Sequence, residues 1–219
     1  LNAISQVGLT RLPADRYTVG HDVSSPDALL VRSASLHNLP IEPSVLAVAR
    51  AGAGTNNIPI AEFSKVGVPV FNTPGANANA VKELVVAGLF LAARNIVDAA
   101  AFAHRLEGDH ATMDKLVEAG KKNFVGFELP GRTLGVIGLG AIGVEVANVA
   151  LSLGMNVLGY DPGITVEHAW ALSSQVQHVT DLNELLKRSD IVTLHVPLVA
   201  GTKGLISTDA FAAMKSSAV

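Results

Sequence analysis

Thr133–Asp161 reads TLGVIGLGAIGVEVANVALSLGMNVLGYD, and the order of its parts decides the fold. An apolar run, Thr133–Ile137, leads straight into GLGAIG, Gly138–Gly143, a G-x-G-x-x-G. An amphipathic stretch from about Ile142 to Leu153 follows, stopped by Gly154; then come a second apolar run, Asn156–Tyr160, and an acid, Asp161. The pattern predicts strand, tight turn, helix, strand and a terminal carboxylate. Gly138 permits the turn, Gly140 lets the backbone approach a diphosphate with no Cβ in the way, and Gly143 lets helix and strand pack closely. The helix start supplies free N–H groups and positive potential for phosphates. Asp161 follows Gly143 by 18 residues, where an acid accepts hydrogen bonds from adenine-ribose hydroxyls and repels a 2′-phosphate. The expectation is a dinucleotide site that prefers NAD to NADP.

Outward from this stretch the chain alternates strand and helix. Downstream, short strands are predicted at Val176–Val179 and Ile191–His195, with a helix capped by Asp181 and another capped by Thr208. Upstream, strands are predicted at Ala28–Val31, Val45–Ala49 and Val68–Phe71, with a short helix at Ile58–Val66. Asn72–Gly75 (NTPG) is a strong turn signal. One long helix is expected over Ala78–Leu106, apolar nearly all round from Leu84 to Ala93 and therefore buried, either between domains or in a dimer interface. A more polar helix follows over Thr112–Asn123, with Thr112 as its cap. The strands are continuous apolar runs, the mark of a parallel sheet covered on both faces. The fold class is α/β, and four strands of the six-stranded order 3-2-1-4-5-6 are countable in the second block.

Composition narrows the function. Of 219 residues, 49% are hydrophobic and only 16% charged, so the chain has the material for a sizeable core. A net charge of −3 gives no basic footprint for nucleic acid. The longest apolar run has ten residues, whereas a membrane helix needs about 20. With no cysteine and no clustered histidines, no metal site is expected. No apolar leader is visible near Leu1, so a cytoplasmic location is the expectation.

Further motifs stand in order along the chain. Arg50–Pro59 reads RAGAGTNNIP, Val70–Ala78 reads VFNTPGANA, Val81–Leu84 reads VKEL, and Leu194–Leu198 reads LHVPL with Thr202 and Gly204 behind it. Together with the glycine turn they resemble the D-isomer-specific 2-hydroxyacid dehydrogenase family, from about Val31 to the last residue. The resemblance implies a flavodoxin-like substrate domain, incomplete here, over residues 1–98. It implies the first part of a Rossmann NAD-binding domain over residues 99–219. It implies that Arg50, Gly52, Ala53 and Gly54 form a loop facing the substrate, with backbone N–H groups near Gly52 and Ala53 holding its carboxylate. Arg32 and Ser33 match positions that bind substrate phosphate or carboxylate, and Asn77 matches a substrate contact. Gly138, Gly140, Ala141, Ile142, Gly143 and Asp161 match cofactor positions, and Val196, Pro197 and Thr202 match the loop beside the adenosine. Position 141 is often Arg in relatives, and position 82, Lys here, is usually Ala.

The implied activity is NAD-dependent oxidation of a small D-2-hydroxy acid. Arg32 and Arg50 favour a phosphorylated one, 3-phospho-D-glycerate, because guanidinium binds phosphate and carboxylate in bidentate fashion. Lys121 is a further candidate for the same anion. Other readings are a simple hydroxy acid, such as lactate, or the related keto acids glyoxylate and hydroxypyruvate; a non-enzymatic NAD-sensing corepressor of the same fold is another. Hydride transfer requires a base for the hydroxyl proton and a cation for the carbonyl. In the family these are a His, oriented by a Glu, and an Arg, all expected beyond Val219. His195, at a strand's carboxyl end near the cofactor, is the tempting substitute, but the resemblance implies a structural position in the cofactor loop for it. The expected partners are a small-molecule substrate and, at full length, copies of the same chain. The polypeptide ending at Val219 is expected to be an inactive, poorly soluble amino-terminal part.

Overall fold

In the computed structural model, which describes residues 1–2 and 4–219, the chain divides into two units, Leu1–Asn77 and Ala78–Val219. The division falls earlier than the expected 98/99 boundary. The helix that begins at Ala78 belongs to the second unit because its buried residues, Leu89 and Ala93, join that unit's core.

The first unit holds helix α1 (Gln6–Leu9), strands β1 (Ala28–Val31) and β2 (Ala47–Arg50), helix α2 (Ile60–Lys65) and strand β3 (Val70–Phe71). The strands run parallel in the order β1-β2-β3. Val31, Val48, Ile58, Phe63 and Val68 form the core beneath them. Register matters for the site. Val31 lies opposite Arg50, so the carboxyl ends of β1 and β2 finish side by side. Arg32–Ala34 and Ala51–Gly54 therefore emerge at the same edge of the sheet.

The second unit continues with α3 (Ala78–Arg94), α4 (Ile96–Ala103), α5 (His110–Gly120) and a 3-10 turn at Lys121–Phe124. Then come β4 (Thr133–Ile137), α6 (Ala141–Ser152), β5 (Asn156–Tyr160), α7 (Val166–Ala171), β6 (Gln177–His178), α8 (Leu182–Arg188), β7 (Ile191–Leu194) and α9 (Thr208–Ala213). The four strands are parallel in the order β6-β5-β4-β7, which is 3-2-1-4 in the numbering of this unit's sheet. Val219 donates to Asp190 O and accepts from Val192 N–H, a parallel pairing on the outer edge of β7. Side chains of β4 alternate between two cores. Leu134 and Val136 face Val144, Val146, Ala147 and Ala150 of α6 together with Leu89 and Ala93 of α3. Ile137 faces Leu185 and Leu186 of α8 and Ala210 of α9. Each fully buried Leu, Ile or Val among these contributes about 1.5–3 kcal/mol of transfer free energy, so covering both faces is what stabilises this sheet. Gly135 allows α8 close in, since a Cβ there would meet Leu185 and Ser189.

Several local expectations are corrected. The helix predicted over Ala78–Leu106 breaks at Asn95, which is left-handed (φ 50°, ψ 36°), and α3 and α4 meet at 65°. Within the apolar stretch Leu84–Ala93 the single chain buries Leu89 and Ala93, whereas Leu84 is 73% exposed and Phe90 and Leu91 are also exposed, which leaves the expected burial in a dimer interface open. No single helix among the described residues is long and apolar enough to cross a membrane. Asp109, not Thr112, caps α5, its carboxylate accepting the Thr112 N–H at 2.9 Å. Ser207, not Thr208, caps α9. Asp181 caps α8 as expected. Helices α1 and α7 were not anticipated; both are too short to show a period.

Candidate functional site

The glycine turn joins β4 to α6. Gly138 adopts φ 90°, outside the range of ordinary side chains, and a Cβ on it would also meet Val196 and the His195 carbonyl. A Cβ on Gly143 would run into the Gly138 carbonyl. Gly140 differs: no heavy atom lies within 4 Å of where its Cβ would stand, so the space above it is open. α6 has no side-chain cap. Its backbone bonding starts with Val144 N–H to Gly140 O at 3.0 Å, and no described residue supplies an acceptor to the amides of Gly140, Ala141, Ile142 or Gly143. Bare amides beside open space at a helix N-terminus suit an anionic diphosphate.

Asp161, at the carboxyl end of β5, reaches back to this turn. Its Oδ2 accepts the Leu139 N–H at 2.8 Å and its Oδ1 the Gly163 N–H at 2.8 Å. Each oxygen keeps acceptor capacity beyond these bonds. The loop after β7 closes the same corner, with Val196 packed against Gly138. Thr202 does not simply face outward: its hydroxyl accepts from Val199 N–H at 3.0 Å and donates to Pro197 O, closing residues 197–202 on themselves. Pro197 is exposed.

A cleft of about 680 Å³ lies elsewhere, lined by Phe90, Arg94, Phe124 and Phe127 among others, so cleft size does not mark this site. The residues of the glycine turn fit a bound dinucleotide on geometry alone, through the open amides, the cleared space at Gly140 and the carboxylate one strand away.

Residues 88–219 match the D-isomer specific 2-hydroxyacid dehydrogenase, NAD binding domain. The chain belongs to this family.

A D-3-phosphoglycerate dehydrogenase of Methanocaldococcus jannaschii is 39% identical over 200 residues, covering 90% of this chain and 36% of that protein. A hydroxypyruvate reductase of Thermotoga maritima is 38% identical over 196 residues, covering 88% of this chain and 58% of that protein. Among solved structures, NAD+-bound 3-phosphoglycerate dehydrogenase of Entamoeba histolytica superposes with a TM-score of 0.63 at 29% identity, over 86% of this chain and 52% of that one. The chain thus spans between about a third and rather more than half of the relatives' length.

In this member of the family the residues expected to meet substrate lie in the first unit. Arg32 is exposed, and no described residue pairs with its guanidinium. Ser33 is held by Asn2, whose Nδ2 donates to Ser33 Oγ at 2.8 Å and whose Oδ1 accepts from Ser33 and Ala34 N–H. Arg50 is half-buried and donates from Nε to Asn57 Oδ1 at 3.2 Å. One expectation needs correcting. The Gly52 N–H is already engaged, by Thr73 Oγ1 at 2.8 Å and Arg50 O at 3.0 Å, so it does not stand free for a carboxylate. The amides of Ala53 and Gly54 meet no acceptor among the described residues, and Asn72 Nδ2 holds the Ala53 carbonyl at 2.8 Å. Asn77 is exposed, at the end of the turn before α3.

Sequence reading passed over Asn2, Asn57, Asn72 and Thr73, the side chains that hold these loops. The signal for Asn72 and Thr73 lay in NTPG, read as a turn and as part of VFNTPGANA but with no role given to either side chain. His195 is half-buried and bonded through Nε2 to Thr193 Oγ1 at 2.9 Å; burial pushes its imidazole below the ordinary value. Lys82 and Lys121 both have carboxylate partners. Lys82 reaches Glu145 of α6 at 3.5 Å, joining α3 to α6, and Lys121 pairs with Glu118. No group of metal-ligating side chains occurs among the described residues.

Proposed function

We propose that this chain carries the coenzyme site and the substrate-anion loops of a cytoplasmic, NAD-dependent dehydrogenase of small D-2-hydroxy acids, of the D-3-phosphoglycerate dehydrogenase kind. The reaction is oxidation of 3-phospho-D-glycerate to 3-phosphohydroxypyruvate. The observation that carries this reading is the set of unpartnered amides at Gly140–Gly143 with Asp161 hydrogen-bonded to the same turn. Bound NAD would accept the hydride leaving C2 of the hydroxy acid. The amides from Gly140 to Gly143 would hold its diphosphate, and Gly138 would shape the turn. The second lone pairs of Asp161 would take the ribose hydroxyls and exclude a 2′-phosphate. Val196, Pro197 and Thr202 would border the adenosine.

On the substrate side, Arg32, whose guanidinium has no partner among the described residues, is available to a phosphate, and the Ala53 and Gly54 amides with Arg50 offer donors for a carboxylate. Ser33 and Asn77 would complete that set. The base and the carbonyl-polarising cation are assigned to residues that follow Val219 in the full-length protein. A second reading, a hydroxypyruvate reductase, is favoured by the similarity to the Thermotoga maritima relative. In either case the functional protein is taken to be a homo-oligomer, with the exposed apolar face of α3 around Leu84 and Leu91 as its contact.

The full-length protein that carries this chain tests the reading. NADH formation from 3-phospho-D-glycerate, and NADH consumption with hydroxypyruvate, glyoxylate and pyruvate, are compared as kcat/KM. Phosphoglycerate and NAD are expected to lead. A preference for NADPH, or no turnover with any of these acids, would refute it.

A further inference from the structure

We infer that Asn57 is a positioning residue that aims the Arg50 guanidinium at the substrate anion while leaving its charge undiminished. The inference rests on the reading of Arg50–Gly54 as the substrate-anion loop. Asn57 joins three segments at one edge of the first unit's sheet. Its Nδ2 donates to Ala34 O at 2.7 Å and to Arg32 O at 3.4 Å, and its Oδ1 accepts from Arg50 Nε at 3.2 Å. Its backbone carbonyl accepts the Leu36 N–H at 2.8 Å. The amide has only one sensible orientation, because a flip would set its oxygen against two carbonyl oxygens. Asn57 is half-buried, and its neighbour Ile58 is 3% exposed, so the chain here is anchored in the core.

The consequence for Arg50 is geometric. With Nε held, the guanidinium lies over the glycine loop: a Cβ at Gly52 would strike Nη1, and Nη1 comes within 3.9 Å of where a Cβ at Gly54 would stand. No described residue accepts from Nη1 or Nη2, so the outward fork is free beside the unpartnered amides of Ala53 and Gly54. A free arginine side chain gives up rotamer freedom when it binds an anion; one already held at Nε has less to lose. The residue type follows from electrostatics. An aspartate at 57 would also hold Nε, but its charge would offset the guanidinium and compete with the substrate, and it would face the Arg32 and Ala34 carbonyls with no donor. A neutral amide orients the cation without neutralising it.

The test is a double-mutant cycle in the full-length protein, with Asn57→Ala, Arg50→Met and both together. It is assayed with 3-phospho-D-glycerate and with hydroxypyruvate, which shares the carboxylate, and each variant's melting temperature is recorded. Asn57→Ala is expected to raise substrate KM about tenfold, the size of one lost hydrogen bond to a charged group, with kcat and coenzyme KM nearly unchanged. In the Arg50→Met background the same change is expected to add less than about twofold. Asn57→Asp should raise KM at least as much as Asn57→Ala although it keeps an acceptor for Nε. If the Asn57→Ala effect multiplies undiminished onto Arg50→Met, Asn57 only holds the loop and the inference is overturned. If Arg50→Met alone leaves substrate KM unchanged, the anion-loop reading falls, and the inference with it, recognisably by that arm. Should Asn57→Ala yield no folded protein, Asn57→Ser runs through the same cycle with the same decisive outcomes.

Discussion

Among single residues, glycines with the same motif role have different physical reasons to be glycine. Gly143 is fixed by packing, since a Cβ would collide with the Gly138 carbonyl. Gly140 faces open space. Gly143→Ala should therefore destabilise the fold, by about 1–3 kcal/mol in urea denaturation, because the backbone must shift to admit the methyl. Gly140→Ala should leave stability within about 0.5 kcal/mol and instead weaken NAD binding in a fluorescence titration. Equal stability losses would contradict the assignment of the space above Gly140 to a ligand. His195 yields a second test. Burial holds its imidazole below the ordinary 6.5, so the neutral form is the one the fold favours. Its contribution to stability is present above 6.5 and is lost as pH falls through the lowered folded value. An NMR titration of the His195 ring should show its midpoint below 6.5; a midpoint above that value would mean that a carboxylate, not burial, governs the ring.

Helices and their ends were the least legible elements. Ala78–Leu106 carries a nearly unbroken helical composition, and no glycine or proline marks Asn95. The break is set by tertiary contacts: Asn95 turns left-handed while its Nδ2 donates to Val125 O at 3.1 Å, and Ala93 O accepts the Phe127 N–H at 2.8 Å. Asparagine tolerates that conformation, whereas a β-branched residue does not. Asn95→Val should lower stability by about 1–2 kcal/mol and Asn95→Gly far less, measured by thermal melts. If both melted alike, the left-handed turn would not be the cause. Capping was read correctly at Asp181, where the carboxylate stands directly before the apolar start of α8. It was misread where two polar residues competed, as at Asp109 with Thr112 and at Ser207 with Thr208.

For the molecule as a whole, acid sensitivity follows from how distant segments are tied together. Asp190 accepts the Thr133 N–H at 2.8 Å and the Lys215 ammonium at 2.8 Å, joining the start of β4 to the segment after α9. Burial pushes its carboxyl up, but the hydrogen bonds from Lys215 and Thr133 and the charges of Lys215 and Arg132 outweigh that and hold it below the ordinary 3.8. A depressed carboxylate contributes stability above its unfolded value, and that contribution is lost as pH falls through the folded one. Asp190→Asn should thus reduce stability at neutral pH and flatten the loss seen below pH 3.8. An acid-unfolding curve that falls as steeply in the variant as in the natural protein would exclude this role. The alternation of strand and helix, the glycine turn and its acid followed from sequence alone, because period, backbone freedom and charge are local properties. The partition at Asn77 and Ala78, the break at Asn95, the Thr73 bond that occupies the Gly52 amide and the hold of Asn57 on Arg50 were decided only by tertiary structure. Each depends on which distant group arrives within hydrogen-bonding or packing distance, and no local pattern encodes that arrival.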